Sequence, residues 1–198
     1  MNGPDVWLVR HGQTEWSVTG QHTGRTDLPL TEVGVQEAQA VAQVLSGLDF
    51  SLVLSSPRQR ARVTAEIAGF EPEVDEDLAE WDYGDLEGLT TAQICDRFPG
   101  WTIWQGPWPG GEDAQAVTLR CDRVIDKMRR APEGQRALVF AHGHILRALA
   151  ARWVGCPVSH GRLFGLSTAT VSVLGWEHAG PAVRHWNVPP PPRTLDGN

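Results

Sequence analysis

The amino-acid sequence predicts an α/β protein, a three-layer α/β/α sandwich around a mostly parallel sheet. Short apolar segments typical of buried strands alternate with longer segments whose apolar residues recur at helical spacing. The chain has 198 residues, which suits one domain with a substantial core. We expect this domain over residues 1–188 and a proline-rich tail over residues 189–198.

The chain begins with a strand–loop–helix unit. Residues 6–9 are apolar and are followed directly by Arg-His-Gly at residues 10–12, which indicates a buried strand with polar side chains at its carboxyl end. Thr31 is a typical helix cap, and apolar residues then recur at helical spacing as far as Gly47.

Two further units follow the same pattern. Residues 52–54 predict a second buried strand, and the Ser-Pro pair at residues 56–57 predicts the cap and first residue of a helix. A helix is expected from about residue 112 to residue 130. It is followed by a strand over residues 137–141 and by a helix that begins near His144.

The C-terminal region predicts a hairpin at one edge of the sheet. Residues 170–176 and 182–186 indicate two strands around a Gly-Pro turn at residues 180–181. The longest irregular stretch, residues 98–111, is rich in Trp, Gly and Pro and is a candidate lid or rim. The four prolines from Pro189 onward have nothing to bury and predict an extended or frayed tail.

The charge balance limits the classes of partner. Seventeen basic residues stand against 24 acidic ones, and the net charge of -7 argues against a nucleic-acid or anionic-membrane binder. Lys127 is the only lysine, so nearly all the basic residues are arginines. Because arginine binds oxyanions through paired hydrogen bonds, the placement of the arginines matters more than the total charge.

Cysteine usage and hydropathy predict the compartment. Cys95, Cys121 and Cys156 are odd in number and widely spaced, which favours reduced thiols over a disulfide framework or a zinc site. The sequence has no leader-like N-terminal segment and no apolar run near the ~20 residues of a membrane span. We therefore expect a cytoplasmic protein without a membrane segment, and a homodimer is left open.

Histidines follow two of the predicted core strands. His11 comes after the first strand, and His142 and His144 come after a later one, with glycines that let a ligand approach the backbone. Arg60 follows a third strand end. Ligands of open α/β sheets bind beyond the carboxyl ends of the strands, so these side chains predict a functional site at that edge.

Four sequence blocks carry a resemblance to a known family. They are LVRHGQTEW at residues 8–16, SPRQRARVT at 56–64, EWDYG at 80–84 and VFAHG at 139–143. In this order and spacing they resemble the histidine phosphatase superfamily, which includes the cofactor-dependent phosphoglycerate mutases. The likeness covers most of the chain and implies a phosphoglycerate mutase-like fold.

The resemblance also implies catalytic roles. His11 would be the nucleophile and would form a phosphohistidine, which divides one displacement into two. A neutral imidazole is needed, so a neighbouring backbone carbonyl should accept a hydrogen bond from its other nitrogen. Arg10 and Arg60 would hold the phosphoryl oxygens, with a protonated His142 as a third donor.

Glu80 stands where the superfamily commonly places its proton donor. An ordinary glutamate is ionised at neutral pH, so this role requires either a site that keeps it protonated or a mildly acidic optimum. The alternative is a surface carboxylate beside the acidic residues 75–77. The chemistry needs no metal and no cofactor; the alternative for His142 and His144 is a two-ligand metal pair.

Seven further residues are predicted to contact the substrate: Ser17, Thr23, Gly24, Tyr83, Trp104, Gly143 and His144. For Trp101, Trp104 and Trp108 two interpretations remain open, a mouth over the site or anchors of a long loop in the core. His144 is interpreted either as a substrate contact or as a structural residue at a helix start.

Departures from the mutases favour a phosphatase. No cation occurs between Arg97 and Arg120, the region from which mutases recruit cations for the second anionic group, and Trp81-Asp82 replaces their Arg-His pair. The motifs Trp81-x-Tyr83-Gly84, Trp101-x-Ile103-Trp104 and His142-Gly143-His144-x-x-Arg147 resemble the phosphatases that act on sedoheptulose bisphosphate, which implies a small sugar phosphate or bisphosphate as substrate. A second phosphate would need cations, for which the candidates are His22, Arg25, Arg58 and Arg62.

Two other functions remain as alternatives, a phosphoglycerate-type mutase and a non-catalytic phospholigand-binding protein. The second needs no nucleophile and no proton donor, so the presence of both His11 and Glu80 argues against it.

Overall fold

A computed structural model describes residues 3–132, 134–178 and 180–191. Its centre is a six-stranded sheet in the order β3-β2-β4-β1-β5-β6. The strands are β1 (Asp5–Arg10), β2 (Leu52–Ser55), β3 (Glu73–Val74), β4 (Arg136–Ala141), β5 (Val171–Glu177) and β6 (Gly180–Val188). The first four strands in that order run parallel, and β5 runs antiparallel to both β1 and β6. The prediction of a mostly parallel sheet extended at one edge by a hairpin is confirmed.

Helices cover both faces of the sheet. They are α1 (Glu15–Thr19), α2 (Glu32–Leu45), α3 (Gln59–Ile67), α4 (Thr91–Arg97), α5 (Ala114–Arg129) and α6 (Gly143–Trp153), with 3-10 turns at Glu76–Leu78, Gly84–Leu86 and Val158–Leu163. In β4, Leu138 and Phe140 join the core with α2 and α3, whereas Val139 and Ala141 join the core with α5 and α6. This alternation produces the predicted α/β/α layers.

Two elements begin elsewhere than the sequence predicts. Helix α3 begins at Gln59 and not at the Ser56–Pro57 pair, because the Ser56 hydroxyl accepts a hydrogen bond from the Arg58 N–H at 3.2 Å and Arg58 stays extended. Strand β6 begins at Gly180, so the Gly-Pro pair expected in the turn lies within the strand. A proline is tolerated there because β6 is an edge strand with one neighbour.

The tryptophan-rich stretch 98–111 is anchored in the core and does not form a lid. Trp101 and Trp104 are buried, and the indole N–H of Trp101 donates to the carbonyl oxygen of Pro107 at 2.8 Å. Trp108 donates in the same way to Ile103 at 2.7 Å. The tryptophans therefore hold this irregular segment against the sheet, and the anchoring interpretation is the one that the structure supports.

The start of the predicted tail has neighbours. Residues 189–191 have no helical or strand structure and line a groove together with side chains of α2. The expectation for residues 192–198 lies outside the described residues. Within the described ranges no helix combines the length and hydropathy that crossing a membrane requires.

Candidate active site

The candidate site lies at the carboxyl edge of the parallel strands. His11 follows β1, and its backbone N–H donates to Ala141 at the end of β4 at 3.0 Å. His142 follows β4 and its ring lies 5.1 Å from the ring of His11. Ser56 follows β2. Parallel pairing of adjacent strands thus brings these three loops together at one edge.

His11 is buried and its ring orientation is fixed by the backbone. Its Nδ1 donates to the carbonyl oxygen of Gly12 at 2.7 Å, which is the type of contact expected for a nucleophilic histidine. Burial, and then the charges of Arg60 and Arg10, lower the pKa of His11 well below 6.5. The imidazole is therefore neutral, and the lone pair is on Nε2.

Close backbone packing holds the loop that follows His11. A Cβ atom on Gly12 would lie 2.3 Å from the carbonyl oxygen of Gly34 at the start of α2, so a side chain cannot be accommodated there. The Gly12 N–H donates to the hydroxyl of Thr64 on α3 at 3.1 Å. Helices α2 and α3 therefore fix the position of the His11 loop.

Arg60 and His142 are directly bonded. The Nε of Arg60 donates to Nδ1 of His142 at 3.1 Å, and its terminal nitrogens donate to the backbone carbonyls of Thr23, Gly24 and Thr26. Burial, and then Arg60, lower the pKa of His142 well below 6.5. Nδ1 therefore accepts the hydrogen bond from Arg60, and Nε2 carries the ring proton. Nε2 lies 2.6 Å from the Ser56 hydroxyl. The protonated His142 that the sequence suggested is not the form in the structure; the histidine is a neutral donor.

Arg10 lies beside His11 with hydrogen-bonding capacity left over. One terminal nitrogen donates to the carbonyl oxygen of Leu166, and the buried Nε has no partner among the described residues. Gly143 packs against its guanidinium, where a Cβ atom would lie 3.4 Å from Cζ. Burial lowers the pKa of Arg10, but an arginine remains charged. Arg10 is therefore a cation able to bind an oxyanion.

Glu80 is buried and accepts three backbone hydrogen bonds. Oε1 accepts from the N–H groups of Trp81 and Ile145, both at 2.8 Å, and Oε2 accepts from His144 at 2.9 Å. His144 and Ile145 belong to the first turn of α6, where the helix dipole favours negative charge. Glu80 is therefore a docked carboxylate at the end of the site and not a surface residue of the acidic run.

Tyr83 and His144 form a second bonded pair. The Tyr83 hydroxyl lies 2.6 Å from Nδ1 of His144, and His22 stacks on the Tyr83 ring with centroids 4.7 Å apart. Burial raises the pKa of Tyr83 well above 10 and lowers that of His144 well below 6.5. Burial also lowers the pKa of His22 to about 4. The site thus contains several neutral imidazoles.

These groups surround a cavity of about 190 Å³. The volume is below the ~300–1,000 Å³ typical of sites for drug-sized ligands, which indicates a small ligand. The predicted residues that line it are Arg10, His11, Ser17, Thr23, Glu80, Tyr83, Gly143 and His144. Arg60 and His142 lie behind this wall, in contact with each other and next to His11.

Two of the predicted substrate contacts do not line the cavity. The Gly24 N–H donates to the Glu87 carboxylate at 2.9 Å, so it is not free for a ligand. Trp104 lies behind His144, with ring centroids 5.4 Å apart. Ser17 lines the cavity, but its hydroxyl donates to Thr14 at 2.8 Å and caps α1.

Arg147 lines the cavity, although no role is predicted for it from the sequence. It lies on α6 one turn after His144, and this i to i+3 spacing is the signal that would have placed both side chains on one helix face. Its Nε donates to Gly161 at 3.0 Å and its guanidinium lies 4.9 Å from the Trp104 ring centroid. Within the described part of the chain, no carboxylate forms a salt bridge with Arg147.

Most of the cations proposed to bind a second phosphate do not line this cavity. Only His22 lines the cavity beside His11, and it is neutral. Arg25 and Arg58 line a separate hollow on the other side of Glu80, where Arg25 pairs with Asp82 at 2.6 Å. That hollow is also lined by four carboxylates, so its electrostatics do not favour an anion.

The metal-pair alternative has no support in the geometry. Both ring nitrogens of His142 have protein hydrogen-bond partners, and Nδ1 of His144 is bonded to Tyr83. In residues 3–132, 134–178 and 180–191, no group of three or more His, Cys, Asp or Glu side chains is arranged to hold a metal ion.

The fold and the site define a class of protein: an open α/β sheet whose carboxyl edge carries a neutral histidine, flanking arginines and a buried carboxylate. The chain belongs to the histidine phosphatase superfamily (branch 1), whose family model matches residues 6–189. This membership confirms the resemblance inferred from the four sequence blocks.

Individual relatives are similar over most of the chain. An acid phosphatase of Mycobacterium tuberculosis is 40% identical over 174 residues, which cover 86% of each chain. A sedoheptulose 1,7-bisphosphatase of Saccharomyces cerevisiae is 38% identical over 187 residues, covering 78% of this chain and 69% of the relative. A solved structure of an open reading frame from Mycobacterium tuberculosis, 36% identical, superimposes with a TM-score of 0.91 and covers 95% of this chain and 99% of that one.

Proposed function

We propose that the protein is a phosphatase that hydrolyses phosphomonoesters of a small metabolite through a phosphohistidine on His11. The observation that carries this proposal is the His11–Gly12 hydrogen bond. It holds the proton on Nδ1 and leaves the Nε2 lone pair for attack, next to a cavity that also contains Arg10 and Glu80. A neutral nucleophile beside a cation and a carboxylate is the arrangement that phosphoryl transfer requires.

In the first step, Nε2 of His11 attacks phosphorus, the Nε2–P bond forms and the ester P–O bond breaks. Glu80, in its protonated form, gives its proton to the leaving oxygen, which departs as an alcohol. Arg10 stabilises charge on the phosphoryl oxygens throughout the transfer. Arg60 holds the backbone of residues 23–26 and the ring of His142, so it supports the oxyanion site electrostatically and structurally.

In the second step, water attacks the phosphohistidine and the Nε2–P bond breaks. The Glu80 carboxylate accepts the proton of the attacking water, which restores the acid for the next turnover. Both steps use only side chains of the chain itself, so we expect no requirement for a metal or a cofactor.

The substrate class is proposed to be a sugar phosphate or bisphosphate. The small cavity and the neutral donors around it suit a hydroxyl-rich molecule. Arg147, which forms no salt bridge within the described residues, is a cation for a second anionic group. The named activities of the two relatives, acid phosphatase and sedoheptulose bisphosphatase, support this choice. The acidic net charge and the three free cysteines support a cytoplasmic enzyme that does not bind nucleic acid.

Comparing His11→Ala with a matched control tests the proposal. Phosphate release from a panel of sugar phosphates, glycolytic acids and nucleotides is measured in the presence of chelator. We expect wild type and His185→Ala, a change of an exposed histidine on β6, to be equally active. His11→Ala should lose at least about 10³-fold in kcat/KM.

Retained activity in purified His11→Ala would overturn the proposal. Isomer formation without phosphate release would instead identify a mutase, and tight binding without turnover in wild type would identify a phospholigand-binding protein.

A further inference from the structure

The Tyr83 hydroxyl is hydrogen-bonded within the protein, in the wall of the cavity beside His11. It lies 2.6 Å from Nδ1 of His144, and the tyrosine as a whole is 2% exposed. The hydroxyl proton has no other acceptor among the described residues, and burial raises the pKa of Tyr83 well above 10, so the hydroxyl donates to the Nδ1 lone pair of His144. The hydroxyl is thus engaged by the protein.

This bond determines the tautomer of His144. With Nδ1 as acceptor, the ring proton is on Nε2. Nε2 has no hydrogen-bond partner within the described residues. It is also not one of the fully buried polar atoms, so a ligand can reach it. Since His144 lines the catalytic cavity, Nε2–H is a neutral donor available to a ligand.

The same bond separates His144 from the proton donor of the proposed mechanism. Nδ1 of His144 lies 3.8 Å from Oε2 of Glu80, close enough for an ion pair if Nδ1 carried a proton. The hydroxyl of Tyr83 occupies Nδ1 and prevents this pair.

Charged and titratable groups surround His144 from several elements. The carboxylate of Glu80 favours a proton on the ring, whereas the cations and the neighbouring imidazole oppose it. These groups are Tyr83 and Glu80 from the 80–84 segment, His22 from the loop after α1, Arg10 from β1 and Arg147 from α6. Without the Tyr83 hydroxyl, the Glu80 carboxylate is the nearest partner for Nδ1 of His144.

We propose that Tyr83 is a positioning residue that fixes His144 as a neutral Nε2–H donor toward the substrate and keeps Nδ1 from pairing with Glu80. The effect on catalysis rests on the proposed function, whereas the tautomer of His144 is a property of the protein without substrate. Donation from an uncharged imidazole selects oxygen acceptors such as hydroxyl or phosphoryl oxygens without adding charge to the site.

The tautomer is measured directly by long-range ¹H–¹⁵N correlation spectra of the histidine rings in the full-length protein at pH 5 to 8. His144 is assigned from the His144→Gln variant. In wild type we expect an unprotonated Nδ1 and a protonated Nε2 throughout. In Tyr83→Phe, Nδ1 should gain a proton, either as the other neutral tautomer or as the imidazolium.

Thr91→Ala is the matched control, because it removes a different hydroxyl from the same aromatic stack, the one 3.0 Å from Nε2 of His22. It should leave the His144 nitrogens and the activity unchanged. A His144 spectrum in folded Tyr83→Phe that matches wild type overturns the inference, whatever the activity of the enzyme.

Kinetics provide a second, independent readout. Tyr83→Phe should lower kcat/KM about tenfold, as for one lost hydrogen bond, with the larger loss on the acidic limb of the pH profile. In the His144→Gln background, Tyr83→Phe should have no further effect, because Gln cannot change tautomer. Additive effects of the two substitutions would contradict an action of Tyr83 through His144, whereas the His11→Ala result decides the proposed function separately.

Discussion

Nε of Arg60 donates to Nδ1 of His142 at 3.1 Å, although the two residues are 82 positions apart in the chain. The same guanidinium donates to the carbonyl oxygens of three residues in the 23–26 loop. One buried arginine therefore orients the imidazole of His142 and also holds the 23–26 loop, which forms part of the cavity wall. Burial lowers the pKa of Arg60, with Glu80 opposing that change.

Substituting Arg60→Met should destabilise the fold as well as the site. The apolar side chain retains the length but leaves buried carbonyl oxygens and Nδ1 of His142 without a donor, which should cost about 3 kcal/mol in the free energy of unfolding. Urea denaturation measures this. Arg62→Met on the same helix is the control and should cost less than about 1 kcal/mol, since Arg62 has no side-chain hydrogen bond in the described part of the chain. Equal losses in the two variants would contradict a special role of Arg60.

Glu80→Gln should affect stability and activity together. A glutamine can present its carbonyl oxygen to the two N–H groups that now contact Oε1, but its amide nitrogen then faces the N–H of His144. This opposition of donors should cost about 1–3 kcal/mol in stability. Loss of the proton donor should lower kcat by about 10²- to 10⁴-fold. Thermal unfolding and steady-state kinetics are compared with Glu76→Gln, an exposed neighbour that should match wild type; a fully active Glu80→Gln enzyme would exclude Glu80 as the acid.

The stability of the protein should fall as the solution becomes acidic. Burial lowers the pKa of four histidines in the folded state: His11, His22, His142 and His144. Below pH 6.5 the unfolded chain binds protons at these rings while the folded chain does not, so protonation favours unfolding. Each such histidine lowers the free energy of unfolding by up to about 1.4 kcal/mol per pH unit, until the pH reaches its folded-state pKa.

His22 gives this relation a defined window, because its folded-state pKa is about 4. In His22→Gln, the slope of the unfolding free energy against pH should be smaller than in wild type between about pH 4 and 6.5. Urea titrations at several pH values measure the slope. His185→Gln, at an exposed position, should leave it unchanged, and an unchanged slope in His22→Gln would show that His22 is not kept neutral by burial.

Arg147→Gln should change KM for a bisphosphate substrate more than KM for a monophosphate. If the guanidinium binds a second anionic group, KM for a sugar bisphosphate should rise about tenfold, the equivalent of one charge-assisted hydrogen bond. KM for the corresponding monophosphate should change little. The control is Arg162→Gln, an exposed arginine of the Val158–Leu163 turn. An equal rise in KM for both substrates would place Arg147 at the transferred phosphoryl group or in a purely structural role.

The sequence predicted the layers of the fold and the strand ends well. Alternation of apolar strands and amphipathic helices is a local signal, and parallel pairing then brings His11 and His142 to one edge. The position of a histidine at a strand end does not show which atom each ring nitrogen is hydrogen-bonded to. The docking of Glu80 on the first turn of α6 joins residues 64 positions apart, so no local pattern contains it.

Several residues predicted to contact the substrate lie outside the cavity for the same physical reason. Trp104 and Gly24 occur in motifs that resemble the family, but their contacts are with the protein interior and not with the cavity. Arg25 and Arg58 are near the site in sequence, yet they face the far side of Glu80. Arg147 enters the cavity only because α6 begins at Gly143, which sets the helix face toward the site.

Chemical trapping of the intermediate tests the central claim most directly. Wild-type enzyme is mixed rapidly with a ³²P-labelled sugar phosphate and quenched in alkali, and the labelled residue is located by mass spectrometry. The proposed mechanism predicts acid-labile, base-stable phosphate on His11 that forms within one turnover and is absent in His11→Ala. Turnover of the same substrate with no label on His11, or with label on another residue, would contradict it.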